Sequence, residues 1–276
     1  MCVIIHHQRK HETIPLEALQ NAIYNNPHGV GLVTFRENGI LNVVKELPED
    51  LENGPNAEEL HKKLDSLKDL SYILHLRNTT VGANTVDNLH PFELMKDEEK
   101  NQHAVLMHNG TLHGWNDPKN KETSDTFNFV NTIAAPLADM HLKAFPDQCI
   151  VTNPVFIRTL EEFRGNTSRF ILISSHRAVM RFGNWTEEKF GYASNTDYFT
   201  TVKRGPHQKK PEPYQGGVYQ GQYNGSYESY SDRQKRLRDT FLEEGRFWTN
   251  SASSSIERTY VKQVYTIDHT FFHSAN

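Results

Sequence analysis

The chain has 276 residues, enough for one large domain or two smaller ones. Hydrophobic residues make up 36% and charged residues 23%, so the sequence can bury a core and is not disordered throughout. The 30 basic and 34 acidic side chains give a net charge of −4, which argues against a dedicated nucleic-acid-binding protein. No run approaches the ~18 apolar residues of a membrane span.

The N-terminal residues have neither the basic region nor the apolar region of a signal peptide. The two cysteines, Cys2 and Cys149, cannot form a disulfide scaffold, and a reducing compartment suits them better. We therefore expect a cytoplasmic protein that contacts neither nucleic acid nor a membrane.

The first ~200 residues have the pattern of mixed helices and strands, without β-α-β alternation and without a glycine-rich phosphate loop. Helices are predicted from helical spacing of apolar residues or from capping residues. In chain order they contain Leu16, Leu19 and Ile23; then Leu60, Leu64, Leu67 and Leu70; then residues 125–133; then the segment from the Asn153-Pro154 cap to Gly165. Strands are predicted for short apolar runs at Val30–Phe35, Tyr72–Leu76, 104–107, 170–173, 179–182 and 190–193.

The composition changes after residue 202. Residues 203–231 contain five of the 11 tyrosines and five of the 16 glycines, and Val218 is their only aliphatic residue. Such a segment buries too little surface to offset its ordering entropy. We divide the chain into a domain at 1–202, a Tyr/Gly-rich linker or tail at 203–231, and a C-terminal extension at 232–276 with a short helix and an extended segment. The tyrosines could alternatively contact a partner.

Cys2 is the first candidate catalytic residue. Methionine aminopeptidases remove Met1 when the second residue is small, and the mature chain would then begin with a cysteine whose α-amine lies beside its own thiol. The ordinary pKa values, ~7.7–8.0 for the amine and ~8.5 for the thiol, allow one residue to supply both base and nucleophile. Alternatively, Cys2 is a small buried hydrophobic residue.

Two neighbouring blocks place an arginine, threonines and a glycine on a loop after a predicted strand: His75-Leu-Arg77-Asn-Thr79-Thr80-Val-Gly82 and Asn88-Leu-His90-Pro91-Phe92. An arginine grips a carboxylate through two parallel hydrogen bonds. A surface salt bridge is the alternative role for this arginine.

Two shorter blocks follow, His108-Asn109-Gly110 after the 104–107 strand and Ser124-Asp125-Thr126 at a predicted helix start. An asparagine amide and a neighbouring glycine N–H at a strand end can point at one oxygen, as an oxyanion hole requires. Alternatively, Asn-Gly forms a hairpin turn, and Ser124 or Asp125 caps the helix.

In this order, the blocks resemble the class II glutamine amidotransferases, whose nucleophile is an N-terminal cysteine. The family pattern is that cysteine, then His-x-Arg-x-x-Thr-x-Gly with a downstream Asn-x-His-Pro, then His-Asn-Gly, then Ser-Asp-Thr. The resemblance covers roughly residues 2–200. It implies an α+β fold, the four-layer αββα sandwich of two antiparallel sheets found in N-terminal nucleophile hydrolases, with the site between the sheets. Residues 182–185 and 193–195 resemble the compact single-domain members.

The resemblance also implies a role for each matching residue. Cys2 would attack the side-chain amide of L-glutamine, its α-amine would take the proton, and Asn109 with the Gly110 N–H would hold the oxyanion. Arg77 would bind the α-carboxylate and Asp125 the α-ammonium. The other matching residues would form the substrate pocket: Thr79, Thr80, Gly82 and His90. A γ-glutamyl thioester would yield glutamate and ammonia without a cofactor.

The sequence departs from the family pattern at three positions. Val3 stands where glycine is usual, Asn78 where an aromatic residue is common, and Phe92 where many members differ. None of these changes removes a catalytic group, but Asn78 alters the expected shape of the glutamine pocket.

His6, His7 and His11 could ligate a metal, but no Cys/His set has a closed zinc spacing. We therefore expect no metal.

The ~75 residues after residue 202 leave no room for an ammonia-accepting domain of ordinary size. We therefore expect a separate acceptor enzyme or a free glutaminase activity. Two alternatives stay open: another N-terminal cysteine amidohydrolase, and a non-catalytic scaffold that binds a partner through its C-terminal tail.

Overall fold

A computed structural model describes residues 2–199 apart from 98, 118 and 176. The expectations for Met1, for the boundary at residue 202, and for the segments 203–231 and 232–276 lie outside the described residues.

Two antiparallel sheets form the centre of this part of the chain. The larger sheet contains β1 (Val3–His7), β2 (Val30–Phe35), β3 (Leu41–Glu46), β4 (Tyr72–Leu76), β9 (Thr186–Glu188) and β10 (Gly191–Ala193), in the order β3-β2-β4-β1-β10-β9. The smaller sheet contains β5 (Phe92–Asp97), β6 (Gln102–Asn109), β7 (Arg169–Ser174) and β8 (Ala178–Phe182), in that order. The chain thus leaves the larger sheet after β4 and returns to it with β9 and β10.

The helices are α1 (Leu16–Asn25), α2 (Ala57–Asp65), α3 (Asp125–Phe129), α4 (Ala135–Ala144) and α5 (Pro154–Arg164), with a π-helical turn at Val130–Ala134. Polar side chains cap three of them, because each accepts hydrogen bonds from N–H groups that have no partner within the helix. Asn56 caps α2, Ser124 caps α3 and Asn153 caps α5.

Helices cover the outer face of each sheet. Leu19 of α1 and Leu64 of α2 lie in one apolar core with Leu74 of the larger sheet. Phe129 of α3 lies in a second core with Phe170 of the smaller sheet.

A third core lies between the two sheets, where Ile4 and Ile73 of the larger sheet meet Val105 and Ile171 of the smaller one. Because three apolar cores separate four layers, the expected αββα sandwich is confirmed. Strands β1 and β4 are buried on both faces, which is why they have continuous apolar runs rather than alternation.

Most predicted elements are present, but two helices differ from the prediction. The second helix ends at Asp65, because the chain continues there in tighter turns such as Leu67 N–H to Leu64 O and Leu70 N–H to Leu67 O. Leu70 is therefore exposed rather than part of a buried helical face. The helix predicted at 125–133 instead continues through the π-helical turn into α4.

The alternative of an Asn109–Gly110 hairpin is wrong, since β6 leads into the α3–α5 segment rather than directly into another strand. The described part of the chain contains no helix with the length and apolar character needed to cross a membrane.

Candidate active site

The register of the central strands brings two of the sequence blocks together. Val3 of β1 lies opposite Leu76 of antiparallel β4, so Cys2, just before β1, lies at the same edge of the sheet as Arg77, just after β4. The Asn78 N–H points at Cys2 Sγ at 3.4 Å. Residues 76 positions apart in the sequence thus become neighbours through strand pairing alone.

A small cleft of about 30 Å³ opens at this edge. Residues from all four sequence blocks line it: Cys2, Arg77, Asn78, Thr79, Thr80, Val81, Asn88, His90, His108, Gly110, Ser124, Asp125 and Thr126. Of the nine residues expected in the site, only Asn109 and Gly82 are not in this lining.

The Cys2 thiol is partly buried in the cleft. Burial raises its pKa above the ordinary value, which outweighs the lowering by the Asn78 N–H, the N-terminal ammonium and Arg77. The thiol is therefore protonated at neutral pH, and nucleophilic attack requires a base that removes its proton.

Arg77 is a buried cation with unused hydrogen-bonding capacity. Its Nη2 donates to the carbonyl oxygens of Val81 and Ala83, both at 3.3 Å. Its Nη1 has no hydrogen-bond partner among the described residues. Although burial lowers its pKa, a nearby carboxylate on Asp125 opposes that effect, so the guanidinium stays charged.

Asp125 supplies a fixed negative charge on the same cleft. Its Oδ2 accepts the Leu112 N–H at 2.7 Å, and its Oδ1 accepts the N–H and hydroxyl of Thr126. A carboxylate has about four acceptor positions, so these three bonds orient the group and leave it able to accept from an ammonium.

Asn109 and Gly110 end strand β6 beside the cleft. Gly110 has a φ of +149°, and a Cβ there would lie 2.3 Å from Ser168 Oγ, so only glycine fits. Asn109 Nδ2 donates to Ser194 Oγ at 2.8 Å, while its buried Oδ1 has no partner within the described part of the chain. As oriented here, the amide nitrogen contacts Ser194 rather than the cleft.

Loop contacts position the remaining predicted residues. The Thr79 N–H donates to His28 and its hydroxyl to Asn84, whereas Thr80 is exposed at the rim. Gly82, with φ +81°, allows its loop to approach the backbone of Ser124, where a Cβ would lie only 2.7 Å away.

Asn88 connects these loops, and sequence reasoning gave it no role. Its Oδ1 accepts the Ser124 N–H at 2.9 Å, and its Nδ2 donates to the Glu122 and Ala83 carbonyls. The sequence signal for this role was the position of Asn88 as the first residue of the Asn-x-His-Pro block.

Three buried histidines lie at the cleft: His90 and His108 line it, and His75 packs against His90. The rings of His75 and His90 stack with centroids 4.1 Å apart, and His108 Nδ1 lies 2.7 Å from the Thr126 hydroxyl. Burial lowers the pKa of His75 to about 3 and that of His108 to about 4, and it lowers the pKa of His90 well below its ordinary value. All three rings are therefore neutral at neutral pH.

Two residues after β10 hold strand β1 and Cys2, and we call them the Ser194–Asn195 clamp. Ser194 exchanges two hydrogen bonds with Ile4: its N–H donates to the Ile4 carbonyl and its Oγ accepts the Ile4 N–H, both at 2.9 Å. Asn195 Nδ2 donates to the Cys2 carbonyl at 2.7 Å. The clamp therefore contacts Cys2, its strand and Asn109 together.

No cluster of three or more potential metal-ligating side chains occurs in the described ranges. His6 instead bonds to Arg181 at 2.8 Å, and both His7 ring nitrogens lie near backbone carbonyls.

Comparison with known proteins gives a family match and a structural likeness. Residues 13–130 match the family model of the class-II glutamine amidotransferases, a stretch that includes Arg77, His90, Asn109 and Asp125. A solved glutamine aminotransferase class-II domain protein from Silicibacter pomeroyi is similar, with 14% identity and a TM-score of 0.31 over 70% of this chain and 87% of that one. No curated protein matches the chain.

Proposed function

We propose that the chain hydrolyses the side-chain amide of L-glutamine to glutamate and ammonia, because residues 13–130 match the family model of the class-II glutamine amidotransferases. One observation carries this proposal: the Cys2 thiol lies in one cleft with a buried cation, Arg77, and a fixed anion, Asp125. A free amino acid carries both complementary charges, so this pairing fits glutamine itself rather than an amide within a peptide.

Arg77 binds the α-carboxylate through its unpartnered Nη1, with Nη2 held by loop carbonyls. Asp125 accepts from the α-ammonium. Because both groups are already oriented by protein contacts, little freedom is lost when substrate binds.

The thiol of Cys2 attacks the side-chain carbonyl carbon of glutamine. Its proton passes to the α-amine of the same residue, which requires prior removal of Met1, and from there to the leaving nitrogen. The C–N bond breaks, ammonia leaves and a γ-glutamyl thioester forms. Water then hydrolyses the thioester, releasing glutamate and restoring the thiol.

The oxyanion that forms during attack is bound by the Gly110 N–H and by the amide of Asn109. The three neutral histidines add no charge beside the thiol, so the charges that act on Cys2 are the N-terminal ammonium, Arg77 and Asp125.

Ammonia released at neutral pH is mostly protonated, so an amidotransferase must pass it on before it reaches solvent. We propose that a separate enzyme accepts it. The residues 203–276 are the proposed docking element.

The experiment measures glutamate and ammonia released from L-glutamine by the purified chain, with Cys2→Ala and Cys149→Ala as matched variants. Intact mass should establish that Met1 is absent. Release by the parent chain and by Cys149→Ala, but not by Cys2→Ala, is expected. If the parent chain releases nothing, the non-catalytic scaffold is favoured; if Cys2→Ala remains active, the nucleophile is assigned wrongly.

A further inference from the structure

The hydrogen bonds around Ser194 contain a mismatch. Its Oγ accepts from the Ile4 N–H at 2.9 Å and from Asn109 Nδ2 at 2.8 Å. Among the described residues, its hydroxyl proton then has no acceptor. The Asn109 Oδ1 is also buried without a partner, so one donor and one acceptor are unused within the same contact.

A 180° flip of the Asn109 side-chain amide pairs both the unused donor and the unused acceptor. The flip exchanges the amide oxygen and nitrogen at nearly the same positions. The Ser194 hydroxyl then donates to Oδ1 while its oxygen still accepts from Ile4. The amide nitrogen takes the position that the oxygen occupied, at the strand end next to Gly110.

We propose that Ser194 is a positioning residue: its hydroxyl donates to Asn109 Oδ1 and thereby holds Nδ2 toward the oxyanion. This proposal rests on the glutaminase function proposed above. This role requires a hydroxyl donor, which alanine lacks. Ser194 itself contacts neither the substrate nor the thiol.

The place of Ser194 in the fold suits this task. Ser194 is 1% exposed, and its two hydrogen bonds to Ile4 prevent it from shifting relative to the nucleophile strand. Asn195, the next residue, holds the Cys2 carbonyl. The Ser194–Asn195 clamp therefore sets the oxyanion donor and the nucleophile against each other from one rigid segment.

Ser175 provides a matched control. Its N–H donates to the His103 carbonyl at 2.7 Å and its Oγ accepts the His103 N–H at 3.2 Å, the same exchange that Ser194 makes with Ile4. Ser175 is fully buried but does not line the cleft. Ser175→Ala therefore removes the same backbone contact without touching Asn109.

The first measurement is glutamine hydrolysis by Ser194→Ala, Ser175→Ala, Asn109→Ala and the double variant Ser194→Ala/Asn109→Ala, with thermal denaturation of each. Ser194→Ala should lower kcat about 10-fold with little change in KM, which is less than the ~10²–10³ expected for losing an oxyanion donor outright. Ser175→Ala should lose as much thermal stability as Ser194→Ala but should keep the kcat of the parent chain. The double variant should be no slower than Asn109→Ala.

Equal kcat in Ser194→Ala and Ser175→Ala, or additive losses in the double variant, would overturn the proposal. A second measurement does not depend on activity. It records NMR cross-relaxation from the side-chain NH₂ protons of Asn109 in the full chain. The Asn109→Asp variant, which lacks these protons, identifies their signals. The proposed orientation places these protons away from the Ser194 Hβ protons, and strong cross-peaks to Hβ would refute it. An inactive parent chain would refute the proposed function, whereas these cross-peaks still decide the orientation of the amide.

Discussion

Acidification to pH 5 should destabilise the domain through its buried histidines. Burial holds the pKa of His75 at about 3 and that of His108 at about 4, against an ordinary value of 6.5. Between these values the unfolded chain binds protons that the folded chain does not. Stability is therefore fully present above pH 6.5 and is lost as the pH falls toward the folded-state pKa values.

The size of the effect follows from the shifts. Within this window, each buried histidine lowers the free energy of unfolding by about 1.36 kcal/mol for every pH unit of acidification. Between pH 7 and pH 5 this amounts to about 2 kcal/mol. The two together cost about 4 kcal/mol, and His90 and His6, whose pKa values are also lowered by burial, act in the same direction. This is a large fraction of the ~5–15 kcal/mol that stabilises a typical domain.

Urea unfolding at pH 7, 6 and 5, followed by tryptophan fluorescence, measures the change in the free energy of unfolding. This pH range stays above the ordinary pKa of carboxyl groups, so those groups contribute little to the change. His108→Asn should lose about 2 kcal/mol less than the parent between pH 7 and pH 5. His113→Asn, which removes an exposed histidine, is the control and should keep the parent slope. A parent chain equally stable at pH 7 and pH 5, or a His108→Asn slope identical to the parent's, would refute the reasoning.

Cys2→Ser should keep the fold and lose most glutamine hydrolysis, because a hydroxyl is a far poorer nucleophile than a thiol near neutral pH; circular dichroism and glutamate release test this. Arg77→Lys keeps the charge but loses the fork, so KM for glutamine should rise about 10- to 100-fold, and unchanged kinetics would contradict the carboxylate role. Gly31→Ala would place a Cβ 1.8 Å from the His90 carbonyl oxygen and should lower the free energy of unfolding by about 3 kcal/mol, measured by denaturation. A chain ending at Val202 should hydrolyse glutamine but bind an ammonia-accepting partner more weakly, whereas a large loss of melting temperature would give residues 203–276 a structural role.

Seven of the nine residues expected in the site line one cleft, because they occur in short blocks at the ends of strands and helices. Arg77, His90 and Asp125 each lie within a few residues of other cleft-lining positions, and strand or helix ends are readable from local pattern. The pairing of β1 with β4 then assembled blocks whose chemistry was already visible. The αββα architecture, by contrast, came from the family resemblance, since local periodicity carries no information about which sheet a strand joins.

Contacts that depend on tertiary structure were not predictable from local pattern. Ser194 and Asn195 are small polar residues after a short strand, and nothing in their neighbourhood indicates contact with Ile4 or Cys2. The leucines at 67 and 70 continue a helical spacing, yet hydrogen bonds between residues three apart override it. The contact of Asn109 with Ser194 likewise required knowledge of both sheets.

The return of the chain to the larger sheet has a consequence for folding. The hydrogen bond between Ile4 and Ser194 joins residues 190 positions apart. Strand β1 lies between β4, which is synthesised early, and β10, which is synthesised last among the described strands. Such non-local pairing forms slowly because loop-closure entropy opposes it. On a translating ribosome, β1 can pair with β4 long before the Ser194–Asn195 clamp has been synthesised. We therefore expect the thiol site to be completed only in the final stage of folding, so that partly synthesised chains do not hydrolyse glutamine.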